Sequence, residues 1–285
     1  MAFDYILLDT STMPVTDVAD HPGARVQTLL RDEDYPGAVE INFGPSGFTD
    51  RIRELLGHGP HRHYHRSVNE RHYVLEGDYP IFHWKDPANE GALTRLHRHH
   101  YLENPPMTLH GITGDTVPEL GWKHLRWSDG LGTDIYEPGA AEETLEVAFS
   151  RPYPEVPFAD PILVHAEDLP WQPSPVRPGW RTKQLTRGVN SARAATLVSI
   201  PAGSSDRIEI TPPDQGETSW LFVISGDLAL EIVTPDGASP AKLREGGFLA
   251  WAEGSAPRSS GASLSDGGCV LLCVGHALGA VAPDQ

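Results

Sequence analysis

Short hydrophobic runs recur along the whole chain, and clusters of Gly, Pro, Asn or Asp separate most of them. Long stretches with the 3.6-residue repeat of an amphipathic helix are scarce. This spacing is typical of an all-β sandwich or barrel. The predicted strands are Val39–Phe43, Arg71–Leu75, Ile81–Trp84, Leu145–Phe149, Ala195–Ile200, Leu221–Ile224, Leu228–Val233, Phe248–Trp251 and Cys269–Val274.

Prolines are concentrated between Arg151 and Trp180. Proline supplies no backbone N–H group, so this segment is not expected to form a central strand. We predict that it is an ordered connector between two halves. The expected parts are residues 1–155, a connector at residues 156–180, and residues 181–285.

The two halves share short matching segments. Ser46–Ile52 resembles Ala202–Ile208, and further along Val74–Asp78 resembles Val223–Asp227. The order of the matches is the same in both halves. The interval between them is shorter in the second half, and the first half carries its histidines in that interval. We interpret the pattern as an internal duplication with divergence.

Charge and histidine content narrow the functional classes. The 285 residues include 22 Lys and Arg against 39 Asp and Glu, which gives a net charge of -17. A chain this acidic has no electrostatic reason to bind nucleic acid or an anionic membrane surface. Eleven of the 14 histidines lie between His58 and His124. This crowding predicts a specialised site in the first half.

The remaining composition predicts a cytoplasmic protein. The start, MAFDYILLDT, has no basic region before an apolar run, and no apolar stretch is long enough to span a membrane. Cys269 and Cys273 would lie about 13 Å apart on one strand, too far for a disulfide. Two buried thiols fit a reducing compartment.

The histidine spacing predicts a metal site. On a strand, residues i and i+2 point to the same side, so His63 and His65 can present two imidazoles together. Glu70 begins the next strand after a short turn, and His72 shares its face. His110, after a proline-stiffened approach, can complete a His₃Glu set. Such a set with open positions suits one Fe(II), Mn, Ni, Cu or Zn ion.

These residues also carry a family resemblance. Gly57, five residues, His63-Tyr64-His65, four residues, Glu70, six residues and Gly77 match every position of the first signature of the cupin superfamily. The stretch is therefore similar to the metal-binding segment of that superfamily.

The second cupin signature is matched in part. Pro105 and His110 fit it, whereas Met107 and His99 stand where glycines are usual and Gly114 replaces an asparagine. With the duplication, the whole chain resembles a bicupin.

The resemblance implies two cupin-type double-stranded β-helix (jelly-roll) barrels in tandem. It implies that His63, His65, Glu70 and His110 are the metal ligands of the N-terminal barrel. The C-terminal barrel departs from the pattern: Ser219 stands at the glutamate position, and Pro212, Asp214 and Pro257 stand near the histidine positions. We expect this barrel to lack metal ligands.

Several other residues allow two interpretations. His61 with His63 gives an alternative histidine pair. His97, His99 and His100 fit an exposed strand or rim, although His99 could reach the cavity. His58 fits a loop. His72 could neighbour the ligands or donate a proton, so His72 and Glu70 are the catalytic candidates. Arg51 and Arg71 could bind a substrate carboxylate or form surface pairs. Tyr73, Phe82, Trp84 and Tyr101 are expected to pack between sheets.

By resemblance to cupins that cleave diketones and dihydroxy-aromatics, the favoured activity is that of an Fe(II) dioxygenase. It would cleave a C–C bond of a small diketone, hydroxy-keto or dihydroxy-aromatic substrate with O₂. One alternative is a non-oxidative Zn, Ni or Mn lyase, isomerase, decarboxylase or cyclase. Another is a metal- or ligand-binding barrel without turnover. A homodimer is the expected assembly.

Overall fold

A computed structural model describes residues 5–18, 24–31, 38–44, 61–66, 68–86, 88–112, 121–128, 157–174, 177–186, 194–204, 218–234, 237–252 and 266–275. All regular secondary structure in these ranges is β-strand. Within them, no helix is long and apolar enough to cross a membrane.

The described residues contain nineteen strands. They are β1 (Tyr5–Asp9), β2 (Thr16–Asp17), β3 (Arg25–Leu30), β4 (Val39–Gly44), β5 (His61–His63), β6 (Glu70–Trp84), β7 (Ala92–His97), β8 (His100–Asn104), β9 (Leu109–Ile112), β10 (Trp122–Ser128), β11 (Ile162–His165), β12 (Gln172–Pro173), β13 (Arg181–Gln184), β14 (Ala195–Ile200), β15 (Thr218–Gly226), β16 (Leu228–Thr234), β17 (Gly237–Leu243), β18 (Gly247–Ala252) and β19 (Cys269–Val274).

The chain forms two compact units. The first unit is Pro14–Glu167, and the second unit combines Met1–Met13 with Asp168–Gln285. The main sheet of the first unit has the antiparallel order β11-β8-β6-β10-β4-β3-β2. The main sheet of the second unit has the order β1-β18-β15-β19-β14-β13-β12. The two orders correspond strand for strand, as the duplication predicts.

One long strand links two sheets in the first unit. The first part of β6 pairs with β8 and β10, and its second part pairs with β7 and β9. The bend falls at Gly77, where φ is +78° and a Cβ would clash with the carbonyl oxygen of Gly121. The two strands predicted at Arg71–Leu75 and Ile81–Trp84 are therefore one continuous strand that bends.

The second unit repeats this bend. Gly226 has φ +79°, and a Cβ there would clash with the carbonyl oxygen of Gly268. A register irregularity precedes the glycine at the same place in both units, beside Val74 in the first and beside Val223 in the second. The matched segments Val74–Asp78 and Val223–Asp227 therefore share this backbone feature, whereas Ser46–Ile52 and most of Ala202–Ile208 lie outside the described residues. In the second unit the strand divides into β15 and β16, which pairs with β17.

The first strand in each half of the sequence pairs with strands of the other half. β1 pairs with β18 of the second half, and β11 pairs with β8 of the first half. The predicted domain of residues 1–155 includes β1, whereas the structure groups residues 1–13 with the second unit. The predicted connector, residues 156–180, contains β11 and β12. Both are edge strands, the positions where proline is tolerated in a sheet.

The two units differ in their buried interiors. The second unit has an extended apolar cluster that includes Leu221, Val223, Leu271 and both cysteines, which are free and buried. Among the described residues of the first unit, the cluster that contains Val74, Tyr79 and Leu102 is smaller. The strand predicted at Leu145–Phe149 lies outside the described residues.

Candidate metal centre

Three strands bring a carboxylate and three imidazoles together. β5 ends at His63, which lies directly opposite His110 of β9, and β6 begins at Glu70. His65 follows β5, and its carbonyl accepts a 2.6 Å hydrogen bond from the N–H of Met107. One ligand atom each of His63, His65, Glu70 and His110 can be chosen so that all four lie within 4.8 Å of one another.

The grouping agrees with the expected ligand set, but one part of the strand argument is wrong. β5 ends at His63, so His63 and His65 do not belong to one strand. The hydrogen bond from Met107 holds His65 in the connection to β6 instead. The two rings still lie 5.3 Å apart, centroid to centroid.

Hydrogen bonding orients His110 toward Glu70. Its Nδ1 lies 2.9 Å from the carbonyl oxygen of Thr108, an acceptor, so Nδ1 carries the proton. Nε2 then has a lone pair and lies 3.1 Å from Oε2 of Glu70. Two lone pairs at this distance repel each other unless a proton or a cation lies between them. The donor set therefore fits a divalent metal ion, with imidazole and carboxylate ligands.

The Glu70 carboxylate is held ionised. Its Oε1 accepts a 2.6 Å bond from Nε of Arg126, while Oε2 lies 3.7 Å from Nε2 of His65 and 3.1 Å from Nε2 of His72. Burial raises the pKa of this carboxyl, but Arg126 foremost and then His72, His110 and His65 outweigh burial and hold the pKa well below its usual value. A permanent negative charge at this point favours a bound cation.

Arg126 connects two carboxylates. Its Nη1 lies 3.5 Å from Oε2 of Glu40, in addition to the bond to Glu70. Burial lowers the pKa of Arg126, and the carboxylates of Glu70 and Glu40 more than offset this, so the pKa is above its usual value. Arg126 is cationic at any pH at which the protein is folded.

Further imidazoles surround the ligands. His72, the predicted proton donor, is 3% exposed, and burial lowers its pKa. His124 lies 4.9 Å from His72 between ring centroids and stacks on Tyr79 at 4.5 Å, and burial holds its pKa well below the usual value. Both rings are therefore neutral at pH 7.

A second network reaches Glu70 through Asn104. The amide nitrogen of Asn104 lies 3.5 Å from Oε2 of Glu70, and its Oδ1 lies 3.1 Å from Nε2 of His83. The amide oxygen can only accept, so His83 donates from Nε2. Burial is the main cause that lowers the pKa of His83 to about 4. His83 is thus a neutral donor that orients the amide.

Two of the three departures from the second cupin signature have a backbone explanation, and the third, Gly114, lies outside the described residues. Met107 and His99, which stand where glycines are usual, both have φ +68°. This left-handed region favours glycine. The backbone therefore keeps the conformation that the signature implies, although both side chains are larger.

The other singled-out histidines lie away from the four candidate ligands. His97 is exposed, and its Nδ1 is 3.8 Å from Oδ1 of Asp78. His99 contacts the hydroxyl of Tyr73 through Nδ1 at 2.9 Å. His100 stacks on His165 with ring centroids 4.0 Å apart. His58 and the side chain of His61 lie outside the described residues.

Arg71 is fully buried, contrary to the surface interpretation. Its Nη2 lies 3.2 Å from Oε1 of Glu103, and the hydroxyl of Tyr101 donates to Oε2 of Glu103 at 3.0 Å. Strand alternation places Arg71 on the face of β6 opposite Glu70. Its ion pair with Glu103 gives it a structural role. Arg51 lies outside the described residues.

Sequence reasoning missed Arg126, His124, Asn104, His83 and Glu40. The strand β10, Trp-Lys-His-Leu-Arg-Trp-Ser, was not predicted. Its alternation was a usable signal. The polar residues His124, Arg126 and Ser128 alternate with the buried Leu125 and Trp127 and therefore occupy one face of the strand. Polar residues on a buried face need hydrogen-bond, charge or metal partners, so such a face is a candidate for a site.

Solved structures with a similar fold are cupin-fold proteins. Protein Ylba from E. coli superposes with a TM-score of 0.60 at 11% identity, covering 97% of this chain and 93% of that chain. Streptomyces albus HEPD, solved with its substrate 2-hydroxyethylphosphonate and Fe(II), gives 0.62 at 11%, covering 95% and 76%. Bacillus subtilis oxalate decarboxylase, studied for its Mn(II) centres, gives 0.58 at 13%, covering 99% and 79%.

These identities establish the fold alone. No protein-family model matches the chain, and no curated relative matches it. The predicted fold class, all-β with cupin-type jelly-roll barrels, is confirmed. The chain thus joins a fold whose solved examples include metal-dependent enzymes to a His₃Glu group that could hold a metal ion.

Proposed function

We propose that this protein is a metal-dependent enzyme in which His63, His65, Glu70 and His110 hold one divalent ion. The observation that carries the proposal is the convergence of their four ligand atoms within 4.8 Å. The side chains of His65, Glu70 and His110 are also buried. A bound ion would act as a Lewis acid on substrate oxygens and, if it is Fe(II), would supply the redox chemistry for O₂.

Residues of the chain would prepare this site for substrate. Arg126 holds Oε1 of Glu70, which leaves Oε2 beside the imidazoles. His72 is a neutral imidazole beside the candidate ligands, with Nε2 3.1 Å from Oε2 of Glu70, and we assign it the movement of protons to and from a bound hydroxyl or enol. The rings of Tyr79 and Trp122 pack against each other beside these residues, with their centroids 5.5 Å apart, and would help to exclude water.

Within this class, we propose an Fe(II) dioxygenase that cleaves a C–C bond of a small diketone, hydroxy-keto or dihydroxy-aromatic compound. Such substrates offer two oxygens to a single ion, and three imidazoles with one carboxylate suit Fe(II). Support also comes from Streptomyces albus HEPD, which shares the fold and was solved with Fe(II) and substrate bound.

Metal analysis and an oxygen-electrode screen test the proposal. Protein purified without added metal is analysed, then loaded anaerobically with Fe(II) and assayed for O₂ uptake with diketones, catechols and hydroxy-ketones. We expect uptake by the native chain and its loss in His110→Ala. The change His165→Ala, at an exposed histidine away from the candidate ligands, is the matched control.

The other outcomes separate the alternatives. Turnover without O₂ in the Zn- or Mn-loaded protein would replace the dioxygenase with a non-oxidative lyase, isomerase, decarboxylase or cyclase. Metal binding without turnover of any of these compounds would indicate a binding protein. Failure of the native chain to bind Fe(II), Mn, Ni, Cu or Zn would overturn the proposal itself.

A further inference from the structure

A polar patch extends from Glu70 across three neighbouring strands. Glu40 of β4, Arg126 of β10 and His72 of β6 lie directly opposite one another in register. Two residues further along, Asn42 of β4 lies directly opposite His124 of β10. All five side chains share the face that carries Glu70, because strand residues two apart point to the same side.

Asn42 and His124 have unused hydrogen-bonding atoms. Nδ2 of Asn42 and Nδ1 of His124 are both buried, and neither has a hydrogen-bond partner among the described residues. Directly opposite residues of paired strands have Cβ atoms roughly 5 Å apart. Buried polar atoms need a partner, so the pair calls for a polar group from a ligand or a water.

The second unit shows that the fold does not need this pair. At the equivalent register positions, Val198 of β14 lies opposite Leu271 of β19. Both residues are buried in the apolar cluster of that unit. The same barrel positions can therefore be filled by aliphatic side chains. Asn42 and His124 are polar in the unit that carries the candidate metal ligands.

Charge on this face limits what a ligand can carry. Arg126 lies between Glu70, at 2.6 Å, and Glu40, at 3.5 Å, so one cation faces two carboxylates. With a divalent ion these groups sum to one positive charge. A ligand with a single negative charge would neutralise the site, and a second negative charge would be left uncompensated in a buried environment.

We infer that Asn42 and His124 form a second binding subsite, which takes an uncharged hydroxyl or carbonyl at the far end of a substrate whose other oxygens bind the metal. The inference rests on the proposed function. It defines the substrate class further: an oxygen chelator with at most one negative charge and a neutral polar terminus.

Three probes of one skeleton test this subsite. They are 2,4-pentanedione, which ends in a methyl group, 1-hydroxy-2,4-pentanedione, which adds a terminal hydroxyl, and 2,4-dioxopentanoate, which ends in a carboxylate. Their dissociation constants are measured by calorimetry on the Zn-loaded full chain, so that binding is read without redox turnover. We expect the hydroxyl to improve binding about tenfold over 2,4-pentanedione. The carboxylate should bind more weakly than the hydroxyl probe.

The variants Asn42→Val and His124→Leu copy the residues of the second unit. Each should reduce the tenfold preference for the hydroxyl to about unity. Melting curves serve to check that each variant is folded. His97→Asn, a change at an exposed histidine, should keep the preference. Since the two variants are independent, loss of folding in one leaves the other to decide.

The outcomes distinguish the two proposals. 2,4-Pentanedione could bind only when zinc is present while all variants keep the native preference for the hydroxyl probe. In that case the proposed subsite is refuted, and a water molecule is the hydrogen-bond partner of Asn42 and His124. Tightest binding of the carboxylate probe would also refute the subsite. If no probe binds in a zinc-dependent way, the metal-dependent function fails and the subsite fails with it.

Discussion

The change Arg126→Met offers a quantitative test of the buried charge arrangement. Arg126 is the cation that faces both Glu70 and Glu40. Methionine keeps much of the side-chain volume but leaves the Glu70 carboxylate, 6% exposed, without its strongest charge partner. Removing one partner of a buried ion pair costs about 3–5 kcal/mol. Arg126 is 22% exposed, so we expect about 3 kcal/mol.

Urea unfolding in the presence of EDTA, monitored by tryptophan fluorescence, measures this change in the free energy of unfolding. Arg95→Met is the matched control, because Arg95 pairs with Asp78 at 2.8 Å but is 41% exposed. An exposed pair of this kind contributes about 1 kcal/mol or less.

The double variant Arg126→Met/Glu70→Gln completes the argument. Replacing the carboxylate with a neutral amide removes the uncompensated charge, so the double variant should be more stable than Arg126→Met alone. The reasoning is refuted if Arg126→Met unfolds within about 0.5 kcal/mol of the native chain. It is also refuted if the added Glu70→Gln lowers stability further.

Four other predictions follow from the backbone and the cysteines. Deleting residues 1–13 removes the strand paired with β18, and we expect the melting temperature to fall by roughly 5–10 °C in differential scanning calorimetry. Gly77→Ala should cost more than about 2 kcal/mol in urea unfolding, because the new Cβ clashes with the neighbouring backbone. Met107→Gly should be tolerated or should stabilise by up to about 1 kcal/mol in the same assay, since φ is +68° there. Burial raises the pKa of Cys269 to about 12 and raises that of Cys273, so neither thiol should react with a disulfide reagent at pH 8 until urea unfolds the chain.

The sequence was a good guide where chemistry and spacing act locally. The strands at Ala195–Ile200 and Cys269–Val274 have the predicted bounds, because each is a short, largely apolar run rich in β-branched residues or leucine and bounded by turn residues. Glu70 begins a strand as predicted. The structure also brings it to His110, forty residues away, on β9, the strand that pairs with the far end of β6.

Pairing between distant strands could not be predicted from the same patterns. Nothing in Tyr5–Asp9 identifies β18 as its partner, because an edge strand of this length can complete many sheets. Arg126 approaches Glu70 only because β10 lies next to β6 in a register set by an irregularity beside Val74. A shift by one residue would have turned Arg126 to the opposite face.

The exchange of β1 and β11 affects how the chain can be divided and made. Residues 14–167 form a continuous unit, whereas the other unit is encoded in two pieces, residues 1–13 and 168–285. Only a circularly permuted gene, with the second piece placed before the first, would encode that unit as one uninterrupted chain.

On the ribosome, this connectivity delays completion of the second unit. Trp251, the strand partner of Tyr5, is made 246 residues after it. At about 5–20 residues per second, β1 waits on the order of 10–50 s for its neighbour. Residues 14–167 are complete before Trp251 is made, so the unit that carries the candidate metal ligands can fold during translation. The other unit can pair β1 with β18 only afterwards.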